Sequence, residues 1–276
     1  MITERLLQNF DNKLLQLHNL YEGQSCYVFG NGPSIKWFDL KNFSDLPSIS
    51  VGQLHYHIDF KYLDIKFLCL LEPWFFIPRF LQLILDRHSA HREHLKLIKP
   101  IIDDYKNFIL TEKKKNFIVS LSNFPFLRGN NIFHVNKKLP SITLNQDNQT
   151  KNLNFFGGSF YGSLAIAYLL GFKKIYLIGF DAWTLKPKIN IRFYEYGKGE
   201  IENNIPEEEP GYNEIIEFFK SRMNISVIAD NGVSCNFKVI KYKDFTGKEP
   251  SYRENKIIIG NKYLKMLATT TSYKIY

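Results

Sequence analysis

The sequence has few cysteines and no long apolar run. Cys26, Cys69 and Cys235 lie far apart and form no C-x-x-C pair. This spacing argues against a disulfide framework and against a thiolate metal site, and it is typical of a reducing cytoplasm. No apolar run reaches the roughly 18 residues that a membrane span needs, and the first residues lack the apolar segment of a signal peptide. We therefore expect a cytoplasmic protein, soluble or peripheral on the inner membrane.

The composition is that of a globular chain with a basic end. The 276 residues are 45% hydrophobic and 16% aromatic, enough for one large domain with a sizeable core. The formal net charge is +9, and residues 236–276 contribute nine Lys or Arg against three Asp or Glu. A basic end of this kind suits an anionic membrane surface, and a solvated surface is the simpler alternative. No recognisable nucleic-acid motif accompanies it, so we expect no nucleic-acid partner.

Apolar strand segments alternate with helical ones along the chain. This order predicts an α/β fold: a Rossmann-like, doubly wound and mainly parallel sheet. We assign residues 1–235 to this catalytic domain, with a lid at about 184–210, and residues 236–276 to a small C-terminal annex. The predicted strands cover 26–29, 48–51, 65–71, 117–121, 132–135, 175–178 and 225–229, and the helices cover 3–21, 37–43, 75–99, 159–170 and 212–223.

A glycine turn follows the first strand. Its glycines allow a sharp turn and the close approach of a ligand, and its proline suits the first turn of a helix. A strand, a glycine turn and a helix start together make an anion site, most often for a nucleotide phosphate. An ordinary tight turn is the alternative. The residues are Gly30, Asn31, Gly32, Pro33 and Ser34.

Polar residues follow the other predicted strands, at the edge where α/β sheets bind ligands. Gln53 and His55 follow the second strand, and Glu72 follows the third. The helix that starts at Gly157, Gly158 and Ser159 leads into a strand that Gly179-Phe180-Asp181 closes. His88, His91 and His94 are three residues apart and drift around a helix, which favours a basic face over a metal site.

The two glycine motifs, Gly30–Ser34 and Gly157–Asp181, resemble those of the bacterial sialyltransferases of glycosyltransferase family 42. They equally resemble a domain of unknown function similar to archaeal 6-hydroxymethylpterin pyrophosphokinase. The similarity covers roughly residues 25–75 and 155–230. It implies a GT-A-like variant of the Rossmann fold.

The family 42 resemblance implies which residues hold a CMP-activated donor. Asn31, Gly32 and Ser34 would face its phosphate and ribose, together with Gln53, Glu72 and Ser159. The chain departs from the family in two places. It has no histidine after His134, where the family's general base lies, and Phe155-Phe156 stands where the family has an arginine. Asp181, Glu195 and His55 are the alternative candidates for the catalytic base, with Glu72 and His57 as further alternatives.

The function that the resemblance implies is sugar transfer in the synthesis of bacterial capsule or lipooligosaccharide. The donor would be CMP-activated, with sialic acid or another nonulosonic acid as its sugar, and the acceptor a glycan or glycolipid. No cofactor or metal is obligatory in this reaction. A diphosphotransferase of the pterin type, which needs Mg²⁺, and a non-catalytic nucleotide-sugar-binding domain stay open as alternatives, as does a homo-oligomer.

Overall fold

The computed structural model describes residues 2–73, 75–78, 89–140, 153–186, 188–189, 191–202, 212–234 and 236–269. The strands are β1 (Ser25–Phe29), β2 (Ser48–Val51), β3 (Ile65–Leu70), β4 (Asn116–Ser120), β5 (Ile132–Val135), β6 (Lys174–Ile178), β7 (Lys188–Ile189), β8 (Ile201–Glu202), β9 (Asn224–Ala229) and β10 (Lys238–Lys241). The helices are α1 (Ile2–Leu15), α2 (Ser89–Thr111), α3 (Ser159–Leu169), α4 (Asp181–Thr184), α5 (Tyr212–Lys220), α6 (Tyr242–Thr246), α7 (Asn255–Ile258) and α8 (Asn261–Ala268).

Eight of these strands form one parallel sheet in the order β10-β9-β6-β1-β2-β3-β4-β5. The chain builds outward from β1 to β5 on one side, then returns to β6 on the other side of β1. β7 and β8 form a separate antiparallel pair. The predicted Rossmann-like α/β fold is therefore confirmed.

Alternate side chains of the central strand β1 enter two hydrophobic cores, one on each face of the sheet. Cys26 and Val28 pack into the core that α1, α3 and α5 cover. Tyr27 and Phe29 pack into the opposite core, which α2 and α8 close. Strands buried on both faces have to be apolar almost throughout, and this is the pattern that made them recognisable in the sequence.

Three helices differ from their predicted bounds by three residues or more. α5 ends at Lys220 instead of residue 223. α1 ends at Leu15 instead of residue 21, and hydrogen-bonded turns follow it. The prediction stopped a helix at residue 99, before Pro100, but α2 continues through this proline to Thr111. Ile101, Tyr105 and Ile109 recur at four-residue spacing and are buried in the second core, which stabilises the helix beyond the proline.

Several predicted features lie wholly or partly outside the described residues. These are residues 79–88 of the helix predicted for 75–99, which include His88, the side chains of His91 and His94, most of the predicted loop 137–153, and parts of the predicted lid. Residues 75–78, at the start of that predicted helix, are described and are not helical. Residues 37–43 contain a 3₁₀ turn, Leu40–Phe43, where a short helix was predicted. Within the described part of the chain, no helix is long and apolar enough to cross a membrane.

The residues predicted as an annex pack directly on the sheet. β10 pairs with β9 and forms one edge of the main sheet. The Arg253 guanidinium lies 3.3 Å from the carboxylate of Asp59, which is buried. The Lys262 ammonium lies 2.9 Å from the Asp104 carboxylate on α2. The domain boundary at 235/236 stays a prediction, but these contacts hold 236–269 against the preceding residues.

Loss of the Arg253 guanidinium is expected to destabilise the fold. In Arg253→Met the buried carboxylate of Asp59 loses its nearest cation. The free energy of unfolding should fall by about 1–3 kcal/mol, less than for a fully buried ion pair, because the Arg253 guanidinium is only partly buried. Lys41→Met is the matched control: its ammonium is 3.9 Å from the same carboxylate but half exposed, so the change should stay within about 0.5 kcal/mol. Urea unfolding measures both. Equal losses would contradict the assigned role of Arg253.

Candidate active site

The sheet reverses its winding between β1 and β6, which are direct neighbours. Loops that leave two such strands diverge to opposite sides of the sheet and open a crevice at its carboxyl edge. Here these loops are Gly30–Ser34 after β1 and Gly179–Asp181 after β6. The two motifs singled out from the sequence therefore meet at the switch point.

The glycines of the first turn are required by contact between the two loops. The Gly30 amide donates to the Ile178 carbonyl at 2.7 Å, and the Gly32 amide donates to the Gly179 carbonyl at 2.6 Å. A Cβ atom at Gly30 would lie 2.2 Å from the Gly179 carbonyl oxygen. Gly179 itself has φ +73°, a conformation that glycine adopts without strain. The space that these glycines were predicted to leave for a ligand is thus occupied by the loop that follows β6.

The Asp181 carboxylate joins the two loops. Its Oδ2 accepts a hydrogen bond from the Ser34 amide at 3.2 Å and another from the Ser34 hydroxyl at 3.0 Å. A Cβ atom on Gly32 would lie 2.0 Å from the same oxygen. Burial raises the pKa of Asp181, and the two bonds from Ser34 oppose that rise. The anion bound at this glycine turn is therefore a side chain of the protein.

A second polar pair links the turn to the end of β2. The Asn31 side chain donates to the Gln53 carboxamide at 2.8 Å and accepts from the Gln53 amide at 3.1 Å. Gly52 has φ +56°, and a Cβ atom there would lie 1.9 Å from the side-chain nitrogen Nδ2 of Asn31. Asn31 and Gln53, both predicted to bind nucleotide, are thus brought together at adjacent strand ends and remain partly exposed.

Two further predicted positions lie along the same edge. Burial raises the pKa of Glu72, although the residue as a whole is exposed to solvent. The start of α3 is open at Gly158, where a Cβ atom would have nothing within 4 Å. Gly162, one turn further on, packs closely on Leu71 at the end of β3.

Residues 191–198, in the described part of the predicted lid, form a wall of the site. The Phe193 amide donates to the Asn31 carbonyl at 2.9 Å. The Lys36 ammonium donates to the carbonyls of Glu195 and Gly197. Sequence reasoning missed Lys36, which is fully buried directly after the glycine turn. A lysine next to a predicted site, within an apolar stretch, was the signal that could have found it.

The other two predicted bases are enclosed by protein. The Glu195 carboxylate accepts a hydrogen bond from the Arg192 amide at 2.7 Å. His55 stacks on Phe108 at 4.6 Å, and its Nε2 lies 3.5 Å from the Asp104 carboxylate. Burial lowers the pKa of His55. Their catalytic roles, like that of Asp181, stay predictions.

The site carries no cluster of metal ligands in the part of the chain that the structure describes: no group of three or more His, Cys, Asp or Glu could hold an ion there. A separate cavity of about 520 Å³ lies across the sheet, at the amino ends of β9 and β10. Residues 220–225 and 236–238 line it, and none of them is a predicted site residue.

No family model matches the chain, and no curated protein matches it. Solved structures do. A MAf glycosyltransferase from Magnetospirillum magneticum AMB-1 is 15% identical with a TM-score of 0.42 over 96% of this chain, which spans 42% of that protein. The sialyltransferase CST-II, solved with a trisaccharide acceptor and CMP, is 16% identical with a TM-score of 0.40 over 90% of this chain and 100% of that one. An alpha-2,3-sialyltransferase from Campylobacter jejuni is 17% identical with a TM-score of 0.41, over 90% and 96%.

These solved structures are sialyltransferases and a glycosyltransferase. At this level of identity the likeness concerns the fold. Substrate and activity have to be argued from the residues of this chain.

Adding one methyl group to Gly32 should push apart the two loops that follow β1 and β6. Gly32→Ala places a Cβ atom 2.0 Å from the Asp181 carboxylate and 2.8 Å from the Gly179 carbonyl, and we expect a loss of about 3 kcal/mol in the free energy of unfolding. Gly158→Ala, in open space with φ −171°, should change it by less than about 0.5 kcal/mol. Chemical denaturation compares them. A Gly32→Ala protein as stable as Gly158→Ala would show that the loops do not need this contact.

Stability should depend on pH through His57, which follows the end of β2. Burial, and then the charge of Arg253, lower the pKa of this histidine from 6.5 to about 3. Below pH 6.5 the unfolded chain therefore binds a proton that the folded chain rejects, so stability falls as the pH drops from 6.5 towards 3, by about 1.4 kcal/mol per unit. Above pH 6.5 this contribution is constant.

His57→Asn isolates that contribution. The ring nitrogen Nδ1 of His57 accepts from the Asp59 amide at 3.0 Å, and asparagine can accept the same bond without titrating. Urea unfolding between pH 4.5 and 8 should show a slope shallower by about one proton in this variant. An unaltered slope in His57→Asn would refute the assignment.

Proposed function

We propose that the protein is a glycosyltransferase that binds its nucleotide-sugar donor at the carboxyl edge of the sheet. The observation that carries this proposal is the meeting of Gly30–Ser34 and Gly179–Asp181 at the switch point between β1 and β6. Crevices of this kind are where open α/β sheets bind nucleotides. The motif resemblance adds the reaction class, and CMP as the nucleotide.

In this proposal the donor lies across the switch point. Its nucleoside half faces the ends of β2 and β3, where Gln53 is partly exposed and Glu72 is exposed. Its phosphate faces the first turn of α3, at Gly158 and Ser159, because the Ser34 amide of the other turn already donates to Asp181 and the Gly157 amide to the Asn154 carbonyl. Free amides at a helix start bind phosphate without a metal ion.

Asp181 is the best placed of the three candidate bases. It follows β6 at the switch point, and both of its bonds from Ser34 go to Oδ2. Burial raises the pKa of its carboxyl group, and a raised pKa makes a carboxylate a better acceptor for the proton of an acceptor hydroxyl. Glu195 and His55 also contact groups of the protein, and neither of them follows β6 at the switch point.

The proposed setting is synthesis of a bacterial surface polysaccharide, with sialic acid or another nonulosonic acid as the sugar and a glycan or glycolipid as acceptor. A glycolipid acceptor would bring the protein to the inner membrane, and the basic residues beyond 236 suit an anionic lipid surface. Vesicle sedimentation with and without anionic lipid tests this part alone.

Calorimetry with CMP, CDP, UDP and GDP tests the donor site. We expect CMP to bind without added Mg²⁺, because the proposed phosphate contacts are backbone amides. Affinity for CDP, UDP or GDP but not CMP would change the donor class, and an absolute need for Mg²⁺ would favour the diphosphotransferase alternative. Absence of binding to all four nucleotides would refute the proposal.

The proposed base is tested by Asp181→Asn. The amide can still accept the bonds from Ser34, so CMP should bind as in the wild type while transfer from a CMP-sugar falls by about 10²–10⁴-fold. Glu195→Gln and His55→Asn are the matched variants and should retain transfer. If one of them loses transfer and Asp181→Asn does not, Asp181 is wrongly assigned. Binding without turnover in the wild type, over a panel of CMP-sugars and glycan acceptors, would favour the binding-domain alternative.

A further inference from the structure

We infer that Trp183 is a stacking surface for a pyranose ring on the sugar side of this cleft. The inference rests on the proposed function and deepens it, because it names a residue that meets the sugar and not the nucleotide. No sequence motif pointed to Trp183, which lies two residues after Asp181 on the one-turn helix α4.

The indole is exposed where a folded chain would ordinarily bury it. Trp183 is 54% exposed, although Asp181 and Thr184 of the same turn are buried. Trp37, by comparison, is only partly exposed. A large apolar ring left in solvent at a ligand-binding edge is a common mark of a contact surface.

The indole is also held in place from one side. The Phe160 ring lies nearly parallel to it, at an interplanar angle of 13° and a centroid distance of 6.0 Å. The Tyr161 ring meets it at 76° and 5.8 Å. Both supporting residues are buried in the first turn of α3. Trp183 therefore presents a fixed ring rather than a mobile one, which lowers the entropy cost of stacking on it.

The position of Trp183 relative to the switch point selects the kind of ring. A nucleotide ligand lies across a switch point, with its nucleoside on one side and its other half on the opposite side. Gln53 and Glu72 lie on the β2 and β3 side of β1, whereas Trp183 follows β6 on the other side. The ring that reaches Trp183 is accordingly that of a sugar, whose C–H face is apolar and suits an indole.

The pyranose could belong to the donor or to the acceptor, and fluorescence distinguishes the two. The sequence contains three tryptophans, so the full-length Trp37→Phe, Trp74→Phe double variant leaves Trp183 as the only emitter. With excitation at a wavelength that tyrosine does not absorb, it is titrated with CMP, with CMP-N-acetylneuraminic acid and with lactose. We expect a blue shift or quenching with a pyranose compound and little change with CMP. A response to the CMP-sugar alone assigns a donor ring, and a response to lactose assigns an acceptor ring.

Binding of the same compounds is then measured on tryptophan variants in the otherwise native chain. Trp183→Ala should weaken binding of the responding sugar compound by about tenfold and leave the Kd for CMP unchanged. Trp183→Phe should restore most of the loss, because it keeps an aromatic face. Leu20→Ala, which removes a side chain of similar exposure (55%) away from the site, should change neither.

The outcomes separate this inference from the proposed function. Nucleotide affinity with a silent Trp183 emission, or equal sugar affinity in Trp183→Ala and the wild type, would overturn the stacking role and leave the donor site standing. A response to free sugar without affinity for any nucleotide would support the stacking role and refute the transferase. A CMP-induced shift as large as that of CMP-sugar would also overturn it, since the base would then be the stacked ring.

Discussion

The bonds between the Asp181 carboxylate and Ser34 are the contact on which the carboxyl edge depends. They join the loops that follow β1 and β6, the two strands between which the winding reverses. Loops at a reversal diverge by construction, so beyond the backbone bonds of Gly30 and Gly32 they need a further link. A buried carboxylate that accepts an amide and a hydroxyl hydrogen supplies that link, and the glycines remove the side chains that would obstruct it.

A second buried group, the Lys36 ammonium, links the chain after the glycine turn to residues 191–198, the wall of the site. Lys36 has no exposed surface, and its ammonium donates to the backbone carbonyls of Glu195 and Gly197. Burial lowers its pKa, while Glu254 and Glu195 oppose that shift. Backbone carbonyls are neutral partners for a buried cation, and the two acidic side chains add opposite charge nearby. The segment 191–198 is consequently tied to the glycine turn on one side and to the C-terminal residues on the other.

The sequence was most informative where burial is extreme. β1, β2, β6 and β9 lie between two cores, so their residues are apolar on both faces, and their bounds were predicted to within one residue. Prediction was weaker where an element is stabilised by tertiary contacts that leave no local pattern. α2 continues beyond Pro100 because its later turns pack on the second core, and β10 joins the sheet edge from a segment that had shown only its charge.

The candidate site shows the same division. Glycines and polar residues at strand ends marked which loops meet, since both requirements are local. The partner of each group could not be predicted, because Asp181 is 147 residues from Ser34 and Gln53 is 22 from Asn31. The glycine turn predicted a bound anion and the structure has one, but it is a carboxylate of the protein. Because the Ser34 amide already donates to Asp181, this turn fixes the geometry of the crevice. The amides that bind a phosphate then have to be ones that no side chain caps, as at the start of α3.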